Sequence, residues 1–125
     1  MSIEILVNYN SVIAGLSFLA PILMAFTPRQ TEAIRERDYN LCQFPENHDC
    51  DGNFGLEVHH IVPQQKCKSN GRDADVPTNG ISICSSSHHS LHDGRRWKQF
   101  VSKLQKIAEN NTASAIARGW EFPKR

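Results

Sequence analysis

Five of the six histidines in this chain fall in two short segments, Leu56-Glu57-Val58-His59-His60 and Ser85-Ser86-Ser87-His88-His89-Ser90-Leu91-His92. Neutral imidazole is a common ligand for divalent transition metals and the side chain that titrates nearest neutral pH, so this crowding points to a metal site. His88 and His92 stand four apart, and on a helix both rings project from one face and can share an ion. His59 and His60 are adjacent, so a regular strand sends them to opposite faces. Both serve one site only where the strand bends or ends, and Ile61-Val62-Pro63 offers such an ending. Four cysteines, Cys42, Cys50, Cys67 and Cys84, could close two disulfides in an oxidising compartment; mixed with histidines they favour zinc instead, although no CxxC pair is present.

The elements that must position these side chains are legible in outline. Thr27 is a helix N-cap, Pro28 suits the first helical position and Gln30 completes a capping box, so a helix should run to about Arg37. A polar loop from Asp38 to Gly55 holds Cys42 and Cys50. It leads into a strand, Leu56 to His60, which Pro63 ends. Gln64 to Thr78, rich in Lys, Asn, Gly and Asp, reads as an exposed loop. Gly80 to Cys84 has the alternation of a second strand, and Ser85 to Ser87 are N-cap candidates for the helix carrying His88 and His92. Beyond Arg95, Trp97, Phe100, Val101, Leu104, Ile107 and Ala108 recur at helical spacing with Lys98, Lys103 and Lys106 between them, the pattern of an amphipathic helix with aromatics in the core.

At 125 residues the chain is one small domain with extensions, whose core alone would be marginal. The net charge of +1 hides an asymmetry: residues 1–94 carry six Lys and Arg against eleven Asp and Glu, residues 95–125 eight against two. The basic tail would attract phosphate, or be only a solvated helix face. Val12 to Phe26 holds no charge, but its fifteen residues fall short of the roughly 20 a membrane span needs and include Gly15 and Pro21. It reads as a buried helix or a partner-binding segment, with a signal peptide or membrane anchor as the alternative. The organisation expected is an apolar segment over 1–26, a core over 27–94 and a basic helix and tail over 95–125.

The lead-in Arg35-Glu36-Arg37-Asp38-Tyr39-Asn40-Leu41-Cys42, a His-His pair closing an apolar strand, Asn79 opening a second one, and Cys84 four residues before His88-x-x-x-His92 together resemble the HNH endonucleases. The resemblance runs from about Thr27 to Gly94. It implies an α+β fold: a small ββα-metal finger with a preceding helix, a Cys-containing loop and a C-terminal amphipathic helix. It also implies hydrolysis of DNA phosphodiester bonds with one catalytic divalent metal. By resemblance His59 takes the first metal-ligand position, where many members carry Asp, and His60 the general-base position. With His88 and His92 this makes an all-histidine site like that of the nuclease colicins. Three imidazoles suit Zn, Ni or Mn better than the oxygen-rich site Mg prefers. Asn79 would brace the loop between the strands and so help set the base. Glu57, alternating with His59, could orient a histidine, but is otherwise expected to be an exposed strand residue.

Zinc-binding members pair two cysteines before the first strand with a CxxC at the second strand and helix. Cys42 and Cys50 match the first pair and Cys84 half of the second, while Ser87 stands where the last cysteine would be. A structural zinc then needs a fourth ligand, with Cys67, His89 and His48 the candidates in that order. Arg95, Arg96, Lys98, Lys103 and Lys106 would track the DNA backbone, giving salt-dependent affinity without sequence preference. RNA stays open as a substrate, a protein partner could use the apolar N-terminal segment, and an intracellular location without membrane insertion is expected. The rival readings are a zinc-stabilised nucleic-acid-binding module without catalysis, and a secreted or anchored nuclease toxin.

Overall fold

The first helix begins as its capping residues require. Thr27 Oγ1 accepts from the Gln30 backbone N–H at 3.1 Å, and Gln30 Oε1 accepts from the Thr27 N–H at 3.0 Å, closing the box at the start of α1, Pro28–Arg37. The computed structural model describes residues 25–46, 48–50, 55–93 and 96–125. Nearly all of the apolar Val12–Phe26 segment therefore lies outside the described residues, and among those described no helix is long and apolar enough to cross a membrane.

Two strands, β1 (Leu56–His60) and β2 (Gly80–Cys84), form an antiparallel pair in the register Leu56↔Cys84, Val58↔Ser82, His60↔Gly80. Residues opposite one another across such a pair share a face. Glu57, His59, Ile81 and Ile83 therefore lie on one side, and Leu56, Val58, His60, Gly80, Ser82 and Cys84 on the other. On the first side lie α3 (Ser85–Asp93), which continues from β2 without a linker, and α4 (Trp97–Ala117). Ile61, Ile81, Ile83, Leu91, Phe100, Leu104 and Ala108 make the shared core. The expected α+β fold is thus present, and the basic helix, set apart by charge, is built into that core.

α1 packs on the second side. A Cβ on Gly80 would stand 2.7 Å from Ile34 Cδ1 and 2.9 Å from the Phe26 ring, so glycine lets α1 and Phe26 approach where a larger residue would push those side chains back. Arg37, 1% exposed, locks the layers together. Its guanidinium donates bidentately to Asp38 at 2.8 and 3.0 Å and also to the Pro77 carbonyl, the Gly80 carbonyl and Thr112 Oγ1. Asp38 in turn accepts from the Ser82 N–H and from Asn111 Nδ2, both at 2.9 Å. A buried ion pair is tolerable only when its remaining donors and acceptors are met in this way.

The stretch from Gln64 to Thr78 is not the exposed loop its composition suggests. It holds α2 (Gln64–Ser69), buries Cys67, Ala74 and Asp75, and ends in a 3₁₀ turn, Pro77–Asn79. α2 buries only one of its six residues, so it carries no hydrophobic period to read. Ser85 to Ser87 likewise lie inside the first turn of α3 rather than capping it, since β2 runs straight into the helix. α4 ends in a Schellman motif: Gly119 (φ +95°) donates to Ile116 O and Trp120 to Ala115 O. The chain then returns along α1, with Trp120 Nε1 donating to Ala33 O and Gln30 Nε2 to Pro123 O, which sets Arg125 beside Asp75.

Candidate active site and metal centres

His59 is 2% exposed, and its Nε2 is buried without a hydrogen-bond partner in the described structure. Each of His59, His88 and His92 offers one ring nitrogen within 4.8 Å of the other two. A buried polar atom left unmet costs about 1–3 kcal/mol, a cost that an ion bound at such a nitrogen would remove. His88 donates from Nδ1 to Glu57 Oε1, and Ser85 Oγ donates to Glu57 Oε2 at 3.2 Å. That bond leaves His88 Nε2 as the bare nitrogen, 3.0 Å from His92 Nε2. Glu57 is therefore engaged and not the merely exposed strand residue expected, and the bond from His88 holds its carboxyl below the usual carboxylate range. Burial, then the neighbouring His88 and His92, pushes His59 down to about 3, so the ring stays neutral as a ligand must.

His60 does not join this cluster. β1 stays regular through the His60↔Gly80 pairing, with no bend to bring the ring round, so alternation places it on the α1 side. There it stacks on Phe26 with centroids 4.4 Å apart and planes 7° from parallel. Its Nε2–H donates to Asp75 Oδ1 at 2.8 Å, and Asp75 Oδ2 accepts from Arg125 at 2.9 Å. The polar composition around Asp75 gave no sign that this carboxylate would be buried against a histidine.

Asn79 braces the segment that follows β1, as expected of its position. Its Oδ1 accepts from the Val62 N–H at 2.9 Å, and its Nδ2 donates to the carbonyls of Val62 and Ala74 at 3.0 Å.

A second cluster lies where the Cys-containing loop meets the end of β2. Cys42, His48, Cys50 and Cys84 each bring a ligand atom within 4.8 Å of the others. A tetrahedral zinc with bonds of about 2.0–2.3 Å holds its ligands within about 3.8 Å of one another, so a small closure would complete the site. His48 Nδ1–H donates to Glu46 O at 2.6 Å, leaving Nε2 3.6 Å from Cys42 Sγ, and that bond keeps the imidazole above its ordinary value. The order of preference for a fourth ligand is corrected: His48 is the residue present. Cys67 is buried in α2, its Sγ 3.8 Å from Val62 O, and His89 is exposed on α3. His48 shares a loop with Cys42 and Cys50, whereas α2 lies beyond β1. No disulfide joins the described cysteines in this structure. Burial is the main cause of the Cys42 thiol being pushed up to about 11.

Of the basic residues proposed to meet DNA, Arg95 lies outside the described residues. Arg96 is engaged: it donates to Glu46 Oε1 at 3.1 Å and Ser90 Oγ at 3.2 Å and lies over the Phe100 ring. Lys98, Lys103 and Lys106 are exposed on α4, Lys98 near the Trp97 ring.

A two-stranded antiparallel sheet running into a helix, with three imidazoles converging between strand and helix and a Cys-rich cluster at their joint, is the arrangement of a ββα-metal nuclease. Residues 36–97 match the family described as HNH endonuclease, and the chain belongs to that family through these residues. It is also 32% identical over 84 residues to the type IV methyl-directed restriction enzyme EcoKMcrA of Escherichia coli (strain K12). That alignment covers 67% of this chain and 27% of the enzyme, so the chain spans about a quarter of that relative's length. No solved structure matches significantly.

Proposed function

We propose that this chain hydrolyses DNA phosphodiester bonds, with His59, His88 and His92 holding one divalent metal and His60, on the other face of β1 but at the strand's last position, assigned as general base by its place in the motif and reaching the site around the strand end. The observation that carries the reading is the convergence of one ring nitrogen from each of His59, His88 and His92 within 4.8 Å, on a His59 ring that is buried with its Nε2 unpartnered. A divalent ion held there would neutralise charge building on the phosphate and on the leaving oxygen. The chain's own groups do the rest. Glu57 fixes the tautomer of His88 so that a bare nitrogen faces inward. His60 takes the proton of the attacking water, and Asn79 holds the turn beneath it. Cys42, His48, Cys50 and Cys84 would bind a structural zinc, closing the loop onto β2.

DNA as substrate is supported by the family and by a relative named as a restriction enzyme. The exposed lysines of α4 would supply backbone contacts. The test is nicking of supercoiled plasmid with Mg, Mn, Ni or Zn by wild type, His60→Ala and His88→Ala. Wild-type cutting lost in both variants is expected. Equal cutting by all three would remove the catalytic assignment, and no cutting by any of them would favour a binding module.

A further inference from the structure

We propose that Asp75 is a positioning residue: it locks His60 in the tautomer that leaves Nδ1 bare to receive the proton of the attacking water. The inference rests on reading His60 as the base, and adds which nitrogen works and what selects it. Two contacts fix the ring. Phe26, stacked parallel at 4.4 Å, sets its plane, and Asp75 Oδ1, 2.8 Å from Nε2, sets its rotation within that plane. A carboxylate accepts and cannot donate, so the proton of a neutral His60 must sit on Nε2. Nδ1 then has no hydrogen-bond partner among the described residues, and the side chain stays 20% exposed, so water can reach the ring.

Asp75 is itself held. Its side chain is 7% exposed, its Oδ2 accepts from Arg125 at 2.9 Å, and its backbone N–H donates to Asp73 Oδ1 at 2.9 Å. The carboxylate thus has one oxygen committed to each neighbour and no freedom to turn away. An isosteric amide would break the selection, because Asn can offer its N–H to Nε2 and drive the proton onto Nδ1, the atom that has to accept.

The experiment is a long-range ¹H–¹⁵N correlation of the His60 ring in the full-length, zinc-loaded protein, with plasmid-nicking kinetics on the same samples. Wild type should show an Nε2–H, Nδ1-bare ring; Asp75→Asn should show Nδ1–H or a tautomer mixture, with kcat reduced at least about 10-fold and KM within about twofold. An Nδ1–H or averaged ring in wild type overturns the proposal, and that spectrum decides even should Asp75→Asn fail to fold. An unchanged ring or unchanged kcat in a folded Asp75→Asn overturns it too. Full activity in His60→Ala would remove the base reading itself, whereas activity lost in His60→Ala but kept in Asp75→Asn removes only the role of Asp75.

Discussion

The histidine cluster draws on α3 and the cysteine cluster on the strand end that leads into it, yet they are assembled from different materials. His59, His88 and His92 hang from a strand and a helix whose geometry is fixed by backbone hydrogen bonds and by Ile81, Ile83 and Leu91 beneath them. Cys42, His48 and Cys50 hang from a loop whose apolar anchors are few, with Phe44 resting on Phe100 at 5.0 Å as one of them. The first cluster is held together by the fold before any ion arrives. The second, tied to β2 mainly by the Gln43 N–H to Ser82 O and Cys84 N–H to Cys42 Sγ bonds, would gain most from an ion that held the loop. An ion at the histidines should therefore matter for chemistry, and one at the cysteines for stability.

The sharpest way to break this contrast is to exchange the phenotypes. Cys84→Ser should unfold much of the domain, because structural zinc contributes about 10–16 kcal/mol in small zinc modules, against a total stability of about 5–15 kcal/mol for a typical domain. Circular dichroism and zinc content measured together check this, and a Cys84→Ser protein that melts like wild type would end the structural role. His60→Ala should keep its fold and zinc but lose about 10²–10⁴-fold in nicking rate, the usual worth of a general base. A melting temperature that falls as far as the rate would say the histidines are staples as well.

Smaller effects sharpen the comparison further. Glu57→Gln removes the carboxylate that orients His88 and should cost about 10- to 100-fold in activity or in affinity for the catalytic metal, read by titration with Mn or Ni. The metal-free protein should also report the burial of His59. Its folded value lies near 3 against an ordinary value of 6.5, so as pH falls the unfolded chain binds the proton first. Stability contributed by neutral His59 is present in full above about pH 6.5 and is lost as pH falls toward 3. Urea midpoints across that range should decline in wild type and decline less in His59→Phe; parallel curves would contradict it. Smallest of all, Lys103→Ala or Lys106→Ala should each lower the slope of DNA affinity against log salt by about one, leaving nicking at saturation unchanged.

The same contrast explains what could be read from the sequence. The i, i+4 spacing of His88 and His92 is a helical period, and the β1–β2 alternation is a strand period, so those elements and the shared face of His88 and His92 are legible, while His59 joins them through the resemblance to the family's motif. A loop has no period, so nothing local in the sequence says that His48, rather than Cys67, joins Cys84. α2 is silent in the sequence for a related reason, its single buried residue leaving polar composition as the only signal. Asp75 was invisible twice over. It lies in a segment that reads as solvent-exposed, and its partners, His60 and Arg125, are 15 and 50 residues away. His60 was named from motif position alone, and strand alternation foretold that it would part from His59 once the strand stayed straight.

One consequence concerns how this protein can be dissected. The family match stops at residue 97, the first residue of α4, and a fragment cut there would look complete to a motif search. Yet Arg37 reaches Thr112, Asp38 reaches Asn111, and Phe100, Leu104 and Ala108 complete the layer against the strands. Such a fragment would retain every candidate metal ligand while opening its core to water and leaving a guanidinium and a carboxylate short of partners. The unit that is recognisable is shorter than the unit that folds, so a minimal nuclease should be trimmed beyond α4 and never at the motif's edge.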